Sequence, residues 1–587
     1  MKKKSKKNNK RGNTNECHNS VLTKTSSPRL LSDNALVHIA CLVVLILIIY
    51  SNTFNAPFQW DEDEFLVNNP IVSNLHYFAN PSDAKGFQYY GHLTERYIGY
   101  FTFALNYKMH GFSVLGYHAV NIAIHIANSV LVYLFILLTF RTPFFTINAS
   151  RFTLYDSRHL IAFFSAILFA VHPLQTEAVT YVFQRFVLLA AFFSLMSITA
   201  YVRSRLAEGK QKCLLFYCIA LISAVLAMKT KEIAFTLPVV IAVYEFLFFR
   251  DTLKRRMLFL APMLLTLSII PLTLIYLRGD MSAGEYNLPG VSNVAFSRGE
   301  YILTQFRVIV TYLRLLFMPV NQNFDYDYSV FKSVFDPQVI LSLLLLSALL
   351  GLGIYMIRLS RFEFHAPPSL RLVGLGILWF FITLSVESSI IPLDRLIDEY
   401  RVYMPSVGIS IAVVTGLFLL KERLQSLKAG KVILTLLVLI TGVLAIGTYE
   451  RNGVWVDKIG LWEDTVQKSS GSAEAHYNLG VAYQNHDMPH KAMEQYLLAV
   501  NLRPDYVDAH NNLGVVYKTL NMPDKALEQC LIVIKLKPDY AEAHFNLGSL
   551  LYYRMGQTEN ARRELMTGLR IKPDDQTAQQ LMRDISH

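Results

Sequence analysis

Apolar residues come in long runs along the first 450 residues, and short polar or charged segments separate them. A helix that crosses a bilayer needs roughly 20 apolar residues, so these runs predict membrane-spanning helices. Basic residues cluster between the runs, as they do in cytoplasmic loops. The pattern predicts eleven crossings, at about 35–54, 115–138, 160–171, a fourth ending at 202, 214–228, a sixth ending at 249, 257–277, 339–357, 372–386, 402–420 and 432–448.

The apolar segment 301–318 allows two topologies. If it crosses the membrane, the arginines at 358, 361 and 371 face outward, against the positive-inside rule. Arg307 and Arg314 are seven residues apart and share one helix face, which suits a helix lying at the membrane surface. We therefore predict that this helix does not cross. An odd number of crossings then places everything after residue 449 on the side opposite the N-terminus.

The pattern changes after residue 450, where a motif recurs with a period of 34 residues. The sequence HYNLG at 476–480 returns as HNNLG at 510–514 and as HFNLG at 544–548. This period is typical of tetratricopeptide repeats, in which pairs of helices stack into an α-solenoid. We predict three repeats, at about 473–506, 507–540 and 541–575, with a concave face suited to an extended peptide.

Composition agrees with this organisation. The chain has 587 residues, of which 53% are hydrophobic, as in a polytopic membrane protein. We predict an all-α protein with a disordered basic cytoplasmic tail at 1–34, a helical transmembrane domain of about eleven spans at 35–450 and a repeat domain at 451–587. The net charge of +11 does not indicate a nucleic-acid partner, because the basic residues lie in loop clusters. The five cysteines show no spacing typical of a disulfide frame or a zinc site.

Four carboxylates, at positions 61–64, directly follow the first predicted span. They emerge at the membrane surface on the side opposite the N-terminus. Most acidic runs are solvated loops, but aromatic residues and a second charged stretch in the same segment favour a loop that folds back on the membrane. Two adjacent carboxylates at that surface are suited to general-base chemistry on a lipid-carried substrate.

Other charged residues are predicted on the same side of the membrane. Each alone is compatible with a solvated loop charge or an ordinary ion pair. Together they are candidates for the lining of one cavity, because charges near the bilayer are costly unless paired or functional. Arginine forks match phosphate oxygens, and carboxylates accept protons from hydroxyls. The candidates are Arg96, Glu177, Arg185, Lys231, Glu232, Asp325, Asp327, Glu399 and Arg401.

Several of these motifs together resemble transmembrane-and-tetratricopeptide proteins related to protein O-mannosyltransferases, in the GT-C class of glycosyltransferases. The likeness covers nearly all of the chain after the tail, in the same order. The matching pieces are FQWDE at 58–62, GYHAVN at 116–121 with His125, AVHPLQTEAV at 170–179, KE at 231–232, QNFDYD at 322–327 and EYRVYMPS at 399–406.

The resemblance implies an acidic base in the first loop, a sugar on a polyprenyl phosphate as donor and often a protein hydroxyl as acceptor. Carried over, Asp61 is the base, and Glu62 beside it is a helper or an alternate. The run of four acids leaves the exact position open. Arg185, Lys231 and Arg401 are candidates for the donor phosphate by charge and side only.

We therefore expect an integral-membrane glycosyltransferase that moves a sugar, with inversion, to a Ser or Thr hydroxyl of a polypeptide captured by the repeats. No metal or other cofactor is predicted. The expected location is a bacterial inner membrane with periplasmic repeats, or the endoplasmic reticulum with lumenal repeats. The alternative is a non-catalytic membrane-anchored scaffold for envelope or lumenal proteins. A transporter is disfavoured, because the spans show no internal duplication.

Overall fold

The computed structural model describes residues 33–147, 157–280, 296–362, 366–389, 392–424 and 426–586. Within these ranges every regular element is a helix, which confirms the predicted all-α class. The predicted basic tail at 1–34 lies outside the described residues except at its last two positions.

The part that precedes the repeats contains long apolar helices separated by short ones. These helices are α1 Asp33–Ile49, α2 His76–Ala79, α3 Tyr90–Glu95, α4 Tyr97–His110, α5 Val114–Thr139, α6 Pro143–Ile147, α7 Arg158–Ala170, α8 Gln175–Thr180, α9 Arg185–Arg205, α10 Lys210–Met228, α11 Leu237–Phe248, α12 Leu253–Leu265, α13 Ile269–Asp280, α14 Arg298–Phe317, α15 Pro337–Phe362, α16 Leu370–Leu384, α17 Tyr403–Leu424 and α18 Leu427–Gly453.

Each of the eleven predicted spans coincides with one or two of these helices. Across the described residues, seven helical segments are long and apolar enough to cross a membrane, and three shorter apolar helices accompany them. The seven are Val114–Thr139, Val182–Arg205, Lys210–Met228, Leu253–Leu277, Pro337–Arg361, Glu399–Leu424 and Lys428–Gly453. The surface position of α14 and the total of eleven crossings stay predictions.

Polar side chains tie the apolar helices together at the centre of this part. His125 of α5 is fully buried, with Nδ1 2.7 Å from the Tyr403 hydroxyl and Nε2 3.0 Å from the Ala170 carbonyl oxygen. Asn128, one turn further along α5, donates to the same Tyr403 hydroxyl and to the Leu188 carbonyl, each at 3.0 Å. Since an unpaired buried polar group is costly, these bonds fix how α5, α7, α9 and α17 pack.

The repeat part continues with helix pairs of nearly constant length. Its helices are α19 Lys458–Lys468, α20 Ala473–Asn485, α21 Pro489–Leu502, α22 Val507–Thr519, α23 Pro523–Leu536, α24 Ala541–Tyr553, α25 Thr558–Ile571 and α26 Gln576–Ser586. Close packing requires a glycine at position 480 of the recurring motif, because a Cβ there would lie 2.6 Å from the Tyr496 ring of the paired helix. Helices α20 to α25 therefore form three close-packed pairs.

The repeat part packs directly on the loops of the membrane part. Trp455 stacks on Tyr181, with ring centroids 5.6 Å apart, and Phe324 meets Trp455 edge-on at 5.2 Å. Polar contacts extend this interface, since Asn323 Nδ2 donates to Ser469 Oγ at 2.7 Å. The loop that holds Phe324 also carries the candidates Asp325 and Asp327, so the repeats stand next to part of the predicted site.

Candidate active site

Six of the eleven predicted site residues line one cavity of about 460 Å³ beside the first loop. They come from segments that lie as much as 340 positions apart in the chain, and helices of the membrane part bring them together. The six are Asp61, Arg96, Glu177, Lys231, Glu232 and Arg401.

Asp61 follows a residue in an unusual backbone conformation. Trp60 has a φ of 42°, in the left-handed region where bulky side chains are rarely found. Its indole packs edge-on against Phe324 at 5.7 Å and lies 4.4 Å from the guanidinium carbon of Arg395. These contacts hold the turn in place, and Asp61 lines the cavity from it.

The carboxyl of Asp61 has the protonation behaviour of a base that works near neutral pH. Burial raises its pKa to about 7, against the opposing influence of Arg395, which lowers it. A general base is most effective when its pKa lies near the working pH, because it is then both available and able to hold the proton. Asp61 therefore combines a cavity position with a suitable pKa.

Glu62, the neighbouring candidate, points into the protein. It is 1% exposed, and its two oxygens accept backbone N–H bonds of 2.7 Å each, from Gln59 and from Phe183. Burial raises its pKa to about 8, although these two donors lower it. Both oxygens accept hydrogen bonds from the backbone, and Glu62 does not line the cavity. The side chain therefore connects the first loop to the segment before α9.

The basic residues of the cavity are each paired with a carboxylate. Arg96 Nη2 lies 3.2 Å from Glu232, and Lys231 Nζ lies 3.3 Å from Glu387. The Nε–H of Arg96 is buried without a hydrogen-bond partner. The four cations of the cavity therefore lie among carboxyl groups, and six carboxyl groups line the same space.

Glu177 faces the cavity from α8. One of its oxygens accepts the Tyr400 N–H at 2.9 Å, and the other is buried without a partner. Burial, together with the nearby charges of Asp398 and Glu399, raises the pKa of Glu177 well above its usual range. These surroundings favour the neutral form of Glu177 relative to that of an exposed glutamate.

Arg185, predicted to contact a donor phosphate, does not line the cavity. Its side chain is fully buried, with Nε 2.8 Å from Asn121 Oδ1, Nη1 2.7 Å from Asn106 Oδ1 and Nη2 3.1 Å from the Tyr117 carbonyl oxygen. All three groups of the guanidinium are bonded to protein. Arg185 therefore connects α9 to α4 and α5 through hydrogen bonds. This geometry does not support its predicted contact with a donor phosphate.

The remaining three candidates are acids that hold loops. Glu399 accepts from Gln322 at 2.6 Å and from the Tyr326 hydroxyl at 2.6 Å. Asp325 accepts from Ser472 Oγ at 2.6 Å, and the backbone N–H of Asp327 donates to Ser469 Oγ at 3.0 Å. They lie between the membrane part and the repeats rather than around the cavity.

The repeats match two families of known proteins. The family described as "TPR repeat" matches residues 490–521, and the family described as "Tetratricopeptide repeat" matches residues 541–575. The chain carries tetratricopeptide repeats. Among solved structures, the crystal structure of MamA protein is 29% identical, covers 20% of this chain and 62% of that chain, and has a TM-score of 0.19.

Longer matches extend over the membrane part as well. The chain is 26% identical over 470 residues to Protein O-mannosyl-transferase F38B6.6 of Caenorhabditis elegans, which covers 79% of this chain and 62% of that protein. It is 26% identical over 475 residues to Protein O-mannosyl-transferase TMTC4 of Homo sapiens, covering 74% of this chain and 62% of that protein. The chain is thus similar to proteins named protein O-mannosyl-transferases. The aligned region spans about three fifths of the length of these curated relatives.

Relatedness to these transferases, together with the apolar helices, fits an integral membrane protein. Four charged residues that line the cavity are not among the predicted site residues: Glu387, Asp394, Arg395 and Asp398. The contact of Arg395 with Trp60 depends on the fold.

A second, mostly apolar cavity of about 470 Å³ borders the first one. The two share Arg96, Glu232, Glu387 and Leu393. The remaining lining is largely hydrophobic and comes from α10, α13, the segment before α11 and the end of α16. Its apolar members include Met228, Phe235, Ile270, Leu274 and Val386.

Proposed function

We propose that this chain is a GT-C-type glycosyltransferase that moves a sugar, mannose in view of its relatives' names, from a polyprenyl phosphate to a hydroxyl of a polypeptide. The observation that carries this proposal is the position of Asp61. An acid whose pKa is raised to about 7 lies in one cavity with Arg96, Lys231 and Arg401. These are a base and a set of cations, the two kinds of group that the transfer requires.

The paired cavities suit a donor with two unlike ends. A polyprenyl phosphate has a long hydrocarbon chain and an anionic headgroup. The apolar cavity matches the chain, and Arg96 stands where that cavity meets the polar one. Arg96 is therefore the candidate for a phosphate contact, because guanidinium groups bind phosphates through directed hydrogen bonds.

In the proposed step Asp61 accepts the proton of a Ser or Thr hydroxyl. The hydroxyl oxygen attacks the anomeric carbon and forms the new glycosidic bond. The bond from that carbon to the phosphate oxygen breaks, and the polyprenyl phosphate leaves with the electron pair. A single displacement inverts the configuration. Arg96 and Lys231 stabilise the negative charge that develops on the phosphate.

The acceptor arrives from the repeats in this proposal. Glu474, in the first helix of the first repeat, lies 3.9 Å from the cavity residue Arg395. The inner helices are joined along the stack, since Asn512 donates to the Tyr477 hydroxyl at 3.2 Å and Asn546 to Asn511 at 2.9 Å. Concave repeat faces of this kind bind extended peptides. We place the cavity and the repeats on the periplasmic side of a bacterial inner membrane, or on the lumenal side of the endoplasmic reticulum.

The test uses the full chain in proteoliposomes with radiolabelled polyprenyl-phosphate mannose and a protein extract of the same membrane system. We expect label on protein with the wild type and with Asp539→Asn, which changes an exposed acid between two repeats. Asp61→Asn should abolish transfer while still inserting and folding. Full activity of Asp61→Asn would remove Asp61 from its role.

The same assay separates the enzyme from the scaffold alternative. A scaffold has no need of a base in a cavity, so its binding of envelope or lumenal proteins would be unchanged in Asp61→Asn. Absence of transfer from mannosyl, glucosyl and N-acetylglucosaminyl polyprenyl phosphates alike, with protein capture intact, would favour the scaffold.

A further inference from the structure

Arg395 stands at the junction of three parts of the molecule. Its guanidinium lies over the Trp60 indole, the residue before Asp61, at 4.4 Å. Nη2 is 3.4 Å from Asp325 of the loop after α14, and Nη1 donates to the Phe324 carbonyl at 3.2 Å. The side chain is only 18% exposed.

The third part is the first repeat. Nη2 of Arg395 is 3.9 Å from Glu474, in the first turn of α20. Asp325 is itself tied to that repeat, because it accepts a hydrogen bond from Ser472 Oγ, the cap of α20, at 2.6 Å. The repeat domain thus contributes a carboxylate to the charge cluster beside the candidate base.

We propose that Arg395 is a positioning residue that joins the first repeat to the candidate base. Its guanidinium holds Trp60 and therefore the turn that presents Asp61, and Glu474 of the repeat offsets its charge. The inference rests on the proposed role of Asp61. It adds that the repeats form part of the reaction centre as well as a surface for capture.

The charges around Asp61 determine in which direction each substitution should move its pKa. Burial is the largest influence and raises the pKa of Asp61, Arg395 lowers it, and Glu64 and Glu474 raise it further. The other ionisable groups that act on Asp61 or Arg395 are Tyr100, Glu177, Tyr181, Asp325 and Asp398. Loss of the cation and loss of the repeat's carboxylate must therefore move the titration of Asp61 in opposite directions.

The experiment measures the acid limb of kcat/KM for transfer of mannose from a short-chain polyprenyl phosphate to a Ser/Thr-rich synthetic peptide. Arg395→Met should move the midpoint upward by about one pH unit, the lower end of what one nearby charge does. Transfer at pH 6 should then fall about tenfold and recover at pH 9. Arg395→Lys keeps the positive charge, so its midpoint should move upward by less than that of Arg395→Met. Glu474→Gln should move the midpoint downward.

The matched control is Lys458→Met. It removes a different ion pair between the first loop and the repeat side, Lys458 with Asp63 at 2.5 Å, and should leave the midpoint in place. A loss of folding in Arg395→Met would lower activity at every pH, and Glu474→Gln would still carry the test.

An infrared titration of the carboxyl band of Asp61, assigned by difference from Asp61→Asn, follows the same shifts without turnover. Shifts in one common direction, or no shift in either variant, would overturn the proposal. If either of these results is found and Asp61→Asn is inactive, only the role of Arg395 is refuted and the proposed function still stands. If Asp61→Asn is active, the proposed function itself is refuted.

Discussion

Replacing Asp61 with Asn should stabilise the protein while it removes the proposed activity. The folded state raises the pKa of this acid from 3.8 to about 7, and burial is the principal cause. A raised folded-state pKa means that the folded protein binds the proton more tightly than the unfolded chain. Folding therefore opposes ionisation of Asp61, and asparagine, which resembles the protonated acid, escapes that cost.

The magnitude follows from the shift. Below pH 3.8 the acid is protonated in both states, so it costs nothing and the variant gains nothing. As the pH rises from about 4 to about 7, the unfolded chain loses the proton and the folded protein keeps it, so stability falls. Above pH 7 the full cost applies, at most about 4 kcal/mol for a shift of this size. Because Asp61 is only partly buried, we expect a gain of about 1 to 4 kcal/mol at pH 8.

The assay is thermal unfolding of the full chain in detergent at a fixed scan rate, across pH 4 to 8. Subtracting the wild-type midpoint from that of Asp61→Asn cancels the titration of groups that the two proteins share. The difference should be near zero at pH 4 and positive at pH 8. Asp539→Asn, an exposed acid, should give a flat difference. A variant that is destabilised at pH 8, or whose difference does not change with pH, would refute the buried-base interpretation of Asp61.

Three further predictions concern residues that hold the site without lining it. At pH 6, where folding does not force Glu62 to ionise because burial raises its pKa to about 8, Glu62→Gln replaces an oxygen that accepts a buried backbone N–H with an NH₂ group that cannot, and should lower stability by about 1 to 3 kcal/mol, seen as a lower thermal midpoint. Arg185→Met removes the donor from two asparagine oxygens and should cost about 3 kcal/mol or more, whereas Arg185→Lys should recover part of that loss by the same measurement. Gly480→Val forces a branched side chain against the Tyr496 ring, and should cost about 1 to 3 kcal/mol and speed proteolysis within the first repeat while sparing the membrane part.

Local patterns were enough to predict the architecture. The 34-residue period predicted the stacked helix pairs, because each repeat packs mainly against its neighbours and its spacing is visible along the chain. The long apolar runs predicted helices for a similar reason, since a spanning segment must satisfy its backbone hydrogen bonds internally. Six of the charged residues that were predicted on one side of the membrane line one cavity, and their roles there stay predictions.

The roles of individual charges were decided only by the tertiary structure. Asp61 and Glu62 are adjacent and chemically alike, yet one lines the cavity and the other is pinned by N–H groups from two segments. Arg185 and Arg395 are both arginines in aromatic surroundings, but only Arg395 reaches the cavity. Burial and nearby charges determine what an ionisable group can do, and for Asp61 the nearby charges include Arg395, which belongs to a distant segment of the chain. The sequence by itself therefore determined which elements form, and the packing of distant segments decided which of the predicted charges line one cavity.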